Sequence, residues 1–584
     1  MRYFVPALLL CAALSAQVAP QRRAPAPAKP GAAANPADIP PPEVKPEDKC
    51  SLEGSVVNAV TGEPLKKARL SLRPIGVRNG IPYGATTDGA GHFLIDDVDP
   101  GQYNFSASRN AFVTQQYSAQ GSSRQGTTLT LTNGQKLKEL AFKLTPQGVI
   151  GGRILDEDGE PMANVMVQCM FFGYQRGKRQ LLGRNAVSTD DRGEFRMHGL
   201  SPGKYIISAT YQSPDIYMAI TERVAGSQAS QAAAEEGYAT TFYPNTTNPE
   251  SASQLEVTPG AQITGLNMTL ARTRTVRIKG HVTGFASPSR RNTNVMLLPR
   301  DNTGFMMPRA MTRVIDAQGN FTMRGVAPGS YVLRADYVGD DNQRYGGRML
   351  IEAGNSNIEG IELTLSPPVD LKGHVTIEEN GDLAGARLNV ILQPKMNGPM
   401  MGGGGRGQVL DDLTFQIANV GLDPYDITVP NIPEGFYLKS VRMGQQDVTE
   451  TGVDFTQGGV AGELTVVLNP NGGQIDGNVQ NDKGQSAGSA MVTLIPDEQH
   501  RAISWLYKTA STDQNGHFTM KGVRPGKYTI YAWEDIEPGA YQDPDFVKPH
   551  ESAGAKVSID QGAHETVQLK AVPAEKSASD RAPR

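Results

Sequence analysis

The chain contains eight histidines, the side chains from which a zinc site or a general base is most often built. They are scattered, and no HExxH or HxxE spacing brings two metal ligands together. No P-loop or CxxC pair occurs either. The acidic turns at 156–160 and 189–194 are explained better by hairpins than by calcium loops. We therefore predict no catalytic residue, no metal site and no cofactor, and expect a protein that is not an enzyme.

Aromatic side chains offer a different chemistry. A sugar ring stacks its C–H face on an exposed aromatic ring, while its hydroxyls need hydrogen-bond partners. Both tryptophans of the chain lie near its C-terminus, with several tyrosines close by. The candidate ligand-binding residues are Tyr531, Trp533, Trp505, Tyr507, Tyr541 and Tyr243.

The orientation of these rings follows from strand alternation. If Ile530 and Ala532 point into a core, Tyr531 and Trp533 point outward on the same strand. A second strand gives Trp505 and Tyr507 one parity, Tyr541 falls in the loop that follows Trp533, and Tyr243 lies in a long insertion. In the alternative interpretation the C-terminal rings pack against the 533–550 loop or the preceding domain, and Tyr243 packs within its own loop.

A repeated phrase shows which elements must position these residues. It reads TDGAGHFLIDDVDPGQYNFSA at 87–107, TDDRGEFRMHGLSPGKYIISA at 189–209, IDAQGNFTMRGVAPGSYVLRA at 315–335 and TDQNGHFTMKGVRPGKYTIYA at 512–532. A divergent copy, LDDLTFQIANVGLDPYDITV, occupies 410–429. Repeats of this kind indicate an array of one module. The predicted domains are 49–146, 147–272, 273–367, 368–471 (the divergent copy) and 472–572.

Each phrase predicts two β-strands. In the second copy Phe195 and Met197 alternate with polar residues, as in a half-buried strand. Gly193 supplies the positive φ of a tight hairpin, and Pro202-Gly203 predicts a type II turn. The residues of the next strand that point inward include Tyr205. Composition agrees, because 64 Gly and 40 Pro lie mainly between short runs rich in Val, Ile, Thr, Tyr and Phe.

These motifs resemble a known family. The opening GxV strand, an xxGxP turn and TDxxGxFxxxxLxPGxYxxxA are similar to the carboxypeptidase regulatory-like domain, a transthyretin-like seven-stranded sandwich grouped with carbohydrate-binding-like folds. The resemblance covers nearly all of 49–572, and FYPNTTNPESA at 242–252 further resembles exported acidobacterial repeat proteins. It implies an all-β tandem array of about five immunoglobulin- or transthyretin-like β-sandwich domains that are not catalytic.

The two ends of the chain predict export. Residues 1–16 have the charge and the apolar run of a cleavable signal peptide, which is too short to span a membrane. Residues 17–48 form a Pro/Ala-rich linker and 573–584 a polar tail, both predicted to be disordered. We expect a secreted or periplasmic protein without membrane insertion after signal removal. The net charge of -4 offers no basic field for nucleic acid.

Two cysteines remain once the signal peptide is removed. Cys50 and Cys169 would meet an oxidising compartment, where they could pair across the first two domains. Two buried or unpaired thiols are an equally good interpretation.

Two functions remain open for such an array. The first is binding of a polysaccharide at the cell envelope or outside the cell, with individually weak domains acting through avidity. The second is a structural or protein-interaction scaffold whose partner is an envelope protein. The first predicts exposed aromatic residues that bind glycan, and only the resemblance to carbohydrate-binding-like folds makes it the preferred hypothesis.

Overall fold

The computed structural model describes residues 45–75, 81–118, 126–211, 236–285, 293–300, 310–314, 316, 318–340, 342–383, 385–395, 404–456, 458 and 462–574. The predicted signal peptide, most of the predicted linker and most of the C-terminal tail lie outside these residues. In the described part of the chain no helix is both long and apolar enough to cross a membrane.

The chain is all-β, and each copy of the repeat folds as a β-sandwich, which we call the first to fifth sandwich. The first contains β1 (Cys50–Asn58), β2 (Arg69–Pro74), β3 (Tyr83–Thr86), β4 (His92–Val98), β5 (Gly101–Ser108), β6 (Gln115–Gln116), β7 (Leu129–Leu131) and β8 (Lys136–Leu144). Its sheets have the orders β4-β1-β8 and β3-β2-β5-β6, with β7 also on β5. The opening strand β1 is antiparallel to β4 and parallel to the closing strand β8.

The second and third sandwiches repeat this plan. The second has β9 (Gly148–Leu155), β10 (Val165–Gln175), β11 (Lys178–Ser188), β12 (Glu194–Leu200), β13 (Gly203–Tyr211), β14 (Glu236–Tyr238), β15 (Thr241–Phe242), β16 (Leu255–Val257), β17 (Gln262–Thr269) and β18 (Arg272–Arg274). The third has β19 (Val276–Thr283), β20 (Asn294–Pro299), β21 (Ala310–Arg313), β22 (Asn320–Val326), β23 (Gly329–Val338), β24 (Arg344–Ala353) and β25 (Ile358–Thr364). Their opening strands again lie centrally, in the orders β12-β9-β17 and β22-β19-β25.

The fourth and fifth sandwiches contain the same kind of strands, and the fifth also has a short helix. The fourth has β26 (Val369–Ile377), β27 (Asn389–Pro394), β28 (Arg406–Gln408), β29 (Thr414–Val420), β30 (Pro424–Thr428), β31 (Tyr437–Met443), β32 (Gln446–Asp447), β33 (Val453–Asp454) and β34 (Leu464–Asn469). The fifth has β35 (Gly473–Gln480), β36 (Met491–Pro496), β37 (Lys508–Ser511), β38 (His517–Val523), β39 (Gly526–Trp533), helix α1 (Pro544–Val547), β40 (Ala555–Ile559) and β41 (His564–Val572). Short 3-10 turns lie at Pro46–Asp48, Pro249–Ser251, Glu378–Asn380, Glu498–His500, Ser504–Leu506, Ala540–Gln542 and Lys548–Ala553.

Each sandwich encloses its own hydrophobic core, formed by residues of one repeat. The alternating residues of the repeated phrase supply much of each core, since burial removes their apolar surface from water. In every copy the phrase tyrosine donates a hydrogen bond of 2.7–2.9 Å to the backbone carbonyl four residues earlier. These tyrosines are Tyr103, Tyr205, Tyr331, Tyr425 and Tyr528. The fold class expected from the sequence is therefore confirmed.

One of the two predicted turns forms as expected. Gly193 has φ 70°, and the equivalent position of the divergent fourth copy is Leu413, at φ 64°. The type II turn predicted at Pro202-Gly203 is wrong. Gly203 has φ 158°, close to extended, whereas a type II turn needs about +80°. Gly203 instead begins strand β13, so the chain re-enters the sheet without a left-handed residue.

The cysteines do not form a disulfide. Cys50 lies in the core of the first sandwich and Cys169 in that of the second, and both are buried free thiols. Burial raises the pKa of the Cys169 thiol to about 12, which keeps it protonated and unreactive at neutral pH. Of the two interpretations of these residues, the structure has the buried thiols.

A long hairpin connects sandwiches that are distant in sequence. Strands β10 and β11 are each eleven residues long and extend beyond the second sandwich. At the hairpin tip Arg176 donates hydrogen bonds to the carbonyl oxygens of Pro394, at 2.7 Å, and Lys395 in the fourth sandwich. The ring of Tyr174 lies 5.8 Å from that of Phe546 in the fifth. The second sandwich therefore contacts the fourth and the fifth directly.

Candidate functional site

Tyr531 and Trp533 lie on β39, on the face opposite the core residues Ile530 and Ala532, as alternation predicted. They are not exposed, however, and in this respect the prediction of a sugar-stacking surface is wrong. Tyr531 is 2% exposed and Trp533 1%. The two rings stack on each other at 5.5 Å between centroids.

The residues that follow β39 cover this face. Trp533 packs against Phe546 and His550, and its indole nitrogen donates a 2.9 Å hydrogen bond to the Thr493 hydroxyl. Tyr174, from the hairpin of the second sandwich, joins the same apolar cluster. The face therefore forms a second hydrophobic core of the fifth sandwich, in agreement with the alternative that was left open for the C-terminal rings.

Tyr507, Tyr541 and Tyr243 are also used in packing. Tyr507 is buried and lies 6.1 Å from Tyr541, and both belong to the cluster around Trp533. Burial raises the pKa of Tyr507 to about 12. Tyr243 packs against the core of the second sandwich. The shared parity predicted for Trp505 and Tyr507 is wrong, because a 3-10 turn at Ser504–Leu506 breaks the alternation between them.

Because of that turn, Trp505 does not join the cluster around Trp533. Its ring is half-buried and packs against the hydrophobic core of the fourth sandwich. It also lines a cleft of about 830 Å³ between the fourth and fifth sandwiches. Of the six predicted residues, Trp505 alone is among the residues that line this cleft. A volume of this size is typical of small-molecule sites in proteins.

The fourth sandwich contributes the apolar wall of the cleft. The segment between β30 and β31 carries two prolines and turns at 430–431 and 434–435, and it presents aromatic and aliphatic side chains. The wall residues are Pro430, Ile432, Pro433, Phe436, Tyr437 and Leu438. Gln102 of the first sandwich also lines the cleft. The cleft therefore depends on the arrangement of several sandwiches.

The fifth sandwich contributes the polar wall. On β38, Phe518 and Met520 point into the core, so alternation places Thr519 and Lys521 on the opposite face, toward the cleft. On the neighbouring strand β35, Gln474 faces the same way. An amide, a hydroxyl and an ammonium group thus lie on one sheet face, opposite the aromatic wall.

Three cations line the cleft, and two of them have carboxylate partners. Lys521 lies 2.8 Å from Glu434, which raises the pKa of its ammonium group. Arg524 lies 3.7 Å from Glu450, and its guanidinium stands 5.4 Å from the centroid of the Trp505 ring. The third, Lys508, donates a 2.9 Å hydrogen bond to the backbone carbonyl of Lys521.

Lys508 differs from the other two in its charge environment. Among the described residues no carboxylate lies within ion-pair distance of its ammonium group. It begins β37 and is half-buried, and burial alone lowers its pKa. Glu434 is the single carboxylate among the residues that line the cleft. The lining itself therefore has more cationic than carboxylate side chains, while Glu450 and Asp476 contact it from outside.

One carboxylate on the same sheet face as Gln474 and Thr519 is hydrogen-bonded to both of them. Asp476 accepts hydrogen bonds from the Thr519 hydroxyl and the Gln474 amide and contacts His564. The Thr519 hydrogen bond is the main reason that the pKa of Asp476 falls to about 2. This carboxylate fixes Gln474 and Thr519 in the positions from which they line the cleft.

Most residues of the cleft were not singled out by the sequence. Lys508, Lys521 and Arg524 read as ordinary surface cations, and Phe436 lies in a Pro-rich loop. Alternation gives the outward direction of Thr519 and Lys521, but no local pattern indicates that a neighbouring sandwich lies opposite them. The nearest signal was the unusual pair of tryptophans in the fifth copy, one of which lines the cleft.

Comparison with known families identifies the first module. Residues 51–145 match the model of the carboxypeptidase regulatory-like domain. The first sandwich is a carboxypeptidase regulatory-like domain. This domain is followed by further sandwiches of the same plan. Residues 484–566 of the fifth sandwich match a second model, described as polysaccharide lyase family 4, domain II. A search of curated proteins gave no match.

Solved structures similar to this chain include the Bacillus anthracis TIE protein and bacterial pilins. The Bacillus anthracis TIE protein is 13% identical over 55% of this chain and 51% of its own, with a TM-score of 0.16. The minor pilin of Streptococcus agalactiae is 12% identical over 38% and 96%, with a TM-score of 0.22. The major pilin subunit BcpA of Bacillus cereus is 12% identical over 55% and 100%, with a TM-score of 0.13. The chain spans about half the length of the Bacillus anthracis protein.

Proposed function

We propose that this chain is an exported, non-catalytic carbohydrate-binding protein whose ligand occupies the cleft between the fourth and fifth sandwiches. The observation that carries the proposal is the composition of the cleft. Trp505 and Phe436 line it together with an amide, a hydroxyl and cationic groups, around a volume of about 830 Å³. A sugar needs this combination, since its ring offers an apolar C–H face and its edge offers hydroxyls.

The polar groups of the cleft suit hydroxyl recognition. The Gln474 amide and the Thr519 hydroxyl both contact Asp476, so their orientations are set before a ligand arrives. Arg524 is held over the Trp505 ring. Side chains that are ordered in advance lose less conformational entropy on binding, which favours affinity for a weakly apolar ligand.

The match of the fifth sandwich to a domain named for a polysaccharide lyase supports the same proposal. The matched residues, 484–566, include Trp505, Lys508, Thr519, Lys521 and Arg524. They contribute much of the polar wall. The proposal takes from that name only the class of ligand, a polysaccharide. Export is part of the proposal and rests on the signal-like N-terminus of the sequence.

The experiment is a glycan-array screen of the full chain, followed by calorimetric titration of the best ligand. We expect Trp505→Ala to lower the affinity about tenfold, because stacking is lost, and Trp505→Phe to recover part of it. Tyr541→Ala is the matched control, since Tyr541 lies in the cluster around Trp533 and outside the cleft. Absence of binding to every glycan, or equal losses in Trp505→Ala and Tyr541→Ala, would contradict the proposal.

A scaffold function is the second candidate, and one specific observation favours it. The hairpin tip of the second sandwich contacts both the fourth and the fifth, through Arg176 and Tyr174. Such contacts order the sandwiches relative to one another, as a spacer in an assembly would require. If no glycan binds and an envelope protein co-purifies in stoichiometric amount with the full chain, the scaffold becomes the better account.

A further inference from the structure

We propose that the carbohydrate bound in the cleft is acidic, with a negatively charged group on the sugar ring that pairs with Lys508. This inference rests on the proposed function and adds the charge of the ligand to it. The starting observation is the environment of Lys508. Its side chain is half-buried, and its ammonium group donates a hydrogen bond to one backbone carbonyl and has no carboxylate within ion-pair distance among the described residues.

Such an arrangement is unfavourable in the free protein. Burial strips water from an ammonium group, and a carbonyl dipole replaces only part of the lost hydration. An ammonium group has three donors, and here one of them is used within the protein. A negatively charged ligand in the cleft would supply the missing acceptor and counter-charge.

The other charges around the cleft point the same way. Lys521 is paired with Glu434, but both side chains are exposed, at 45% and 78%, so water screens their attraction. Arg524 and Glu450 are 3.7 Å apart, a distance that leaves guanidinium donors available. The residues that line the cleft therefore offer three cations and one carboxylate to a ligand.

The chemistry separates an acidic sugar from other anions. A free phosphate or sulfate ion would contact the cations but not the rings of Trp505 and Phe436. A sugar bearing a carboxylate or a sulfate uses both, because its ring stacks while its charged group pairs with an ammonium. Both sources of charge fit the cleft, and the experiment has an arm for each.

The experiment is a calorimetric titration of the full chain with oligosaccharides that differ only in charge. Cello-oligosaccharide, oligoglucuronate of the same length and linkage, and the 6-sulfated cello-oligosaccharide form the set, and inorganic sulfate is included as a simple anion. We expect at least one acidic oligosaccharide to bind about tenfold more tightly than the neutral one, the effect of one charge-assisted hydrogen bond. Inorganic sulfate should bind far more weakly than either.

Three variants connect the effect to Lys508. Lys508→Met should abolish the preference for the acidic ligand over the neutral one, while Lys508→Arg should keep the preference. Lys570→Met is the matched control, because Lys570 is exposed and lies at the far end of the strand pair that begins at Gln474. A preference that survives in Lys508→Met would overturn the inference.

The outcomes distinguish this inference from the function on which it rests. Equal, Trp505-dependent binding of neutral and acidic oligosaccharides would overturn the acidic-ligand inference and leave carbohydrate binding supported. Binding of inorganic sulfate as tight as that of the sulfated oligosaccharide would overturn it too, since the sugar ring would then contribute nothing. Failure of every oligosaccharide to bind would contradict the proposed function itself.

Discussion

Buried cations at the junction between the third and fourth sandwiches have carboxylate partners within the protein. In the cleft between the fourth and fifth sandwiches, half-buried Lys508 has none among the described residues. At the first junction Arg334 and Arg348 face each other across β23 and β24, where two like charges would repel. Asp423 of the fourth sandwich lies between them, 3.3 Å from one and 2.6 Å from the other, and is 5% exposed. Asp336 lies 3.1 Å from Arg334.

The difference shows which surface is a structural contact and which is available to a ligand. At the first junction the protein supplies its own carboxylates, so every buried charge has a partner and the contact is complete. In the cleft Lys508 has no such partner among the described residues. A half-buried charge without a counter-charge lowers stability, and such sites are commonly functional.

The largest expected effect comes from breaking the complete junction. Asp423→Ala would leave Arg334 and Arg348 opposite each other with one buried carboxylate fewer, and we expect it to lower the free energy of unfolding by about 3–5 kcal/mol. Denaturant unfolding of the full chain measures the change. Because the chain has several sandwiches, the transition assigned to the third and fourth should shift while the others remain.

Asp426 provides the control for this prediction. It lies on β30, 3.6 Å from Lys395, with a side chain that is 34% exposed. Asp426→Ala should cost at most about 1 kcal/mol, as expected for a solvated ion pair. If Asp423→Ala cost no more than Asp426→Ala, the junction would not depend on its buried charges, and the comparison with the cleft would fail.

The reverse effect is expected in the cleft. Lys508→Met removes a half-buried ammonium group that has no carboxylate partner, so stability should be unchanged or rise by up to about 1 kcal/mol, at the expense of acidic-ligand binding. Thermal and denaturant unfolding without ligand measure it, with Lys570→Met as the control. A loss of more than about 2 kcal/mol would show that Lys508 has a stabilising partner and is a structural residue.

A smaller effect should appear on raising the pH. Burial lowers the pKa of Lys508, so its charge is lost at a lower pH than that of an exposed lysine. We therefore expect the affinity for an acidic oligosaccharide to fall a few-fold between about pH 7 and about pH 10. In Lys508→Arg the guanidinium stays protonated, and the decrease should disappear.

The sequence predicted the fold because its signals are local. The alternation of Phe195 and Met197 and the positive φ of Gly193 depend on residues that are close together in the sequence. Other copies of the phrase repeat the same pattern. The divergent fourth copy shows the limit of this reasoning. Asp423 stands where the other copies have the glycine that opens the second strand of the phrase, and its partners lie in another sandwich. Nothing in the local sequence indicates that pairing.

The site was predicted less well for the same reason. The position three residues after the phrase tyrosine holds Ser106, Ser208, Arg334 and Tyr531 in different copies, and alternation correctly places it outside the core. Whether that face meets solvent, a neighbouring sandwich or its own insertion depends on tertiary contacts. Arg334 contacts Asp423 of the fourth sandwich, and Tyr531 packs with the segment around Phe546. The predicted exposure of Tyr531 was therefore wrong.

The central claim is that a carbohydrate binds in the cleft beside Trp505, and tryptophan fluorescence tests it directly. The chain has two tryptophans, so Trp533→Phe leaves Trp505 as the single source of tryptophan emission. Titration of this variant with oligoglucuronate should shift the Trp505 emission with the same midpoint as the calorimetric Kd. Calorimetric binding with no change in Trp505 emission would place the ligand elsewhere and contradict the account.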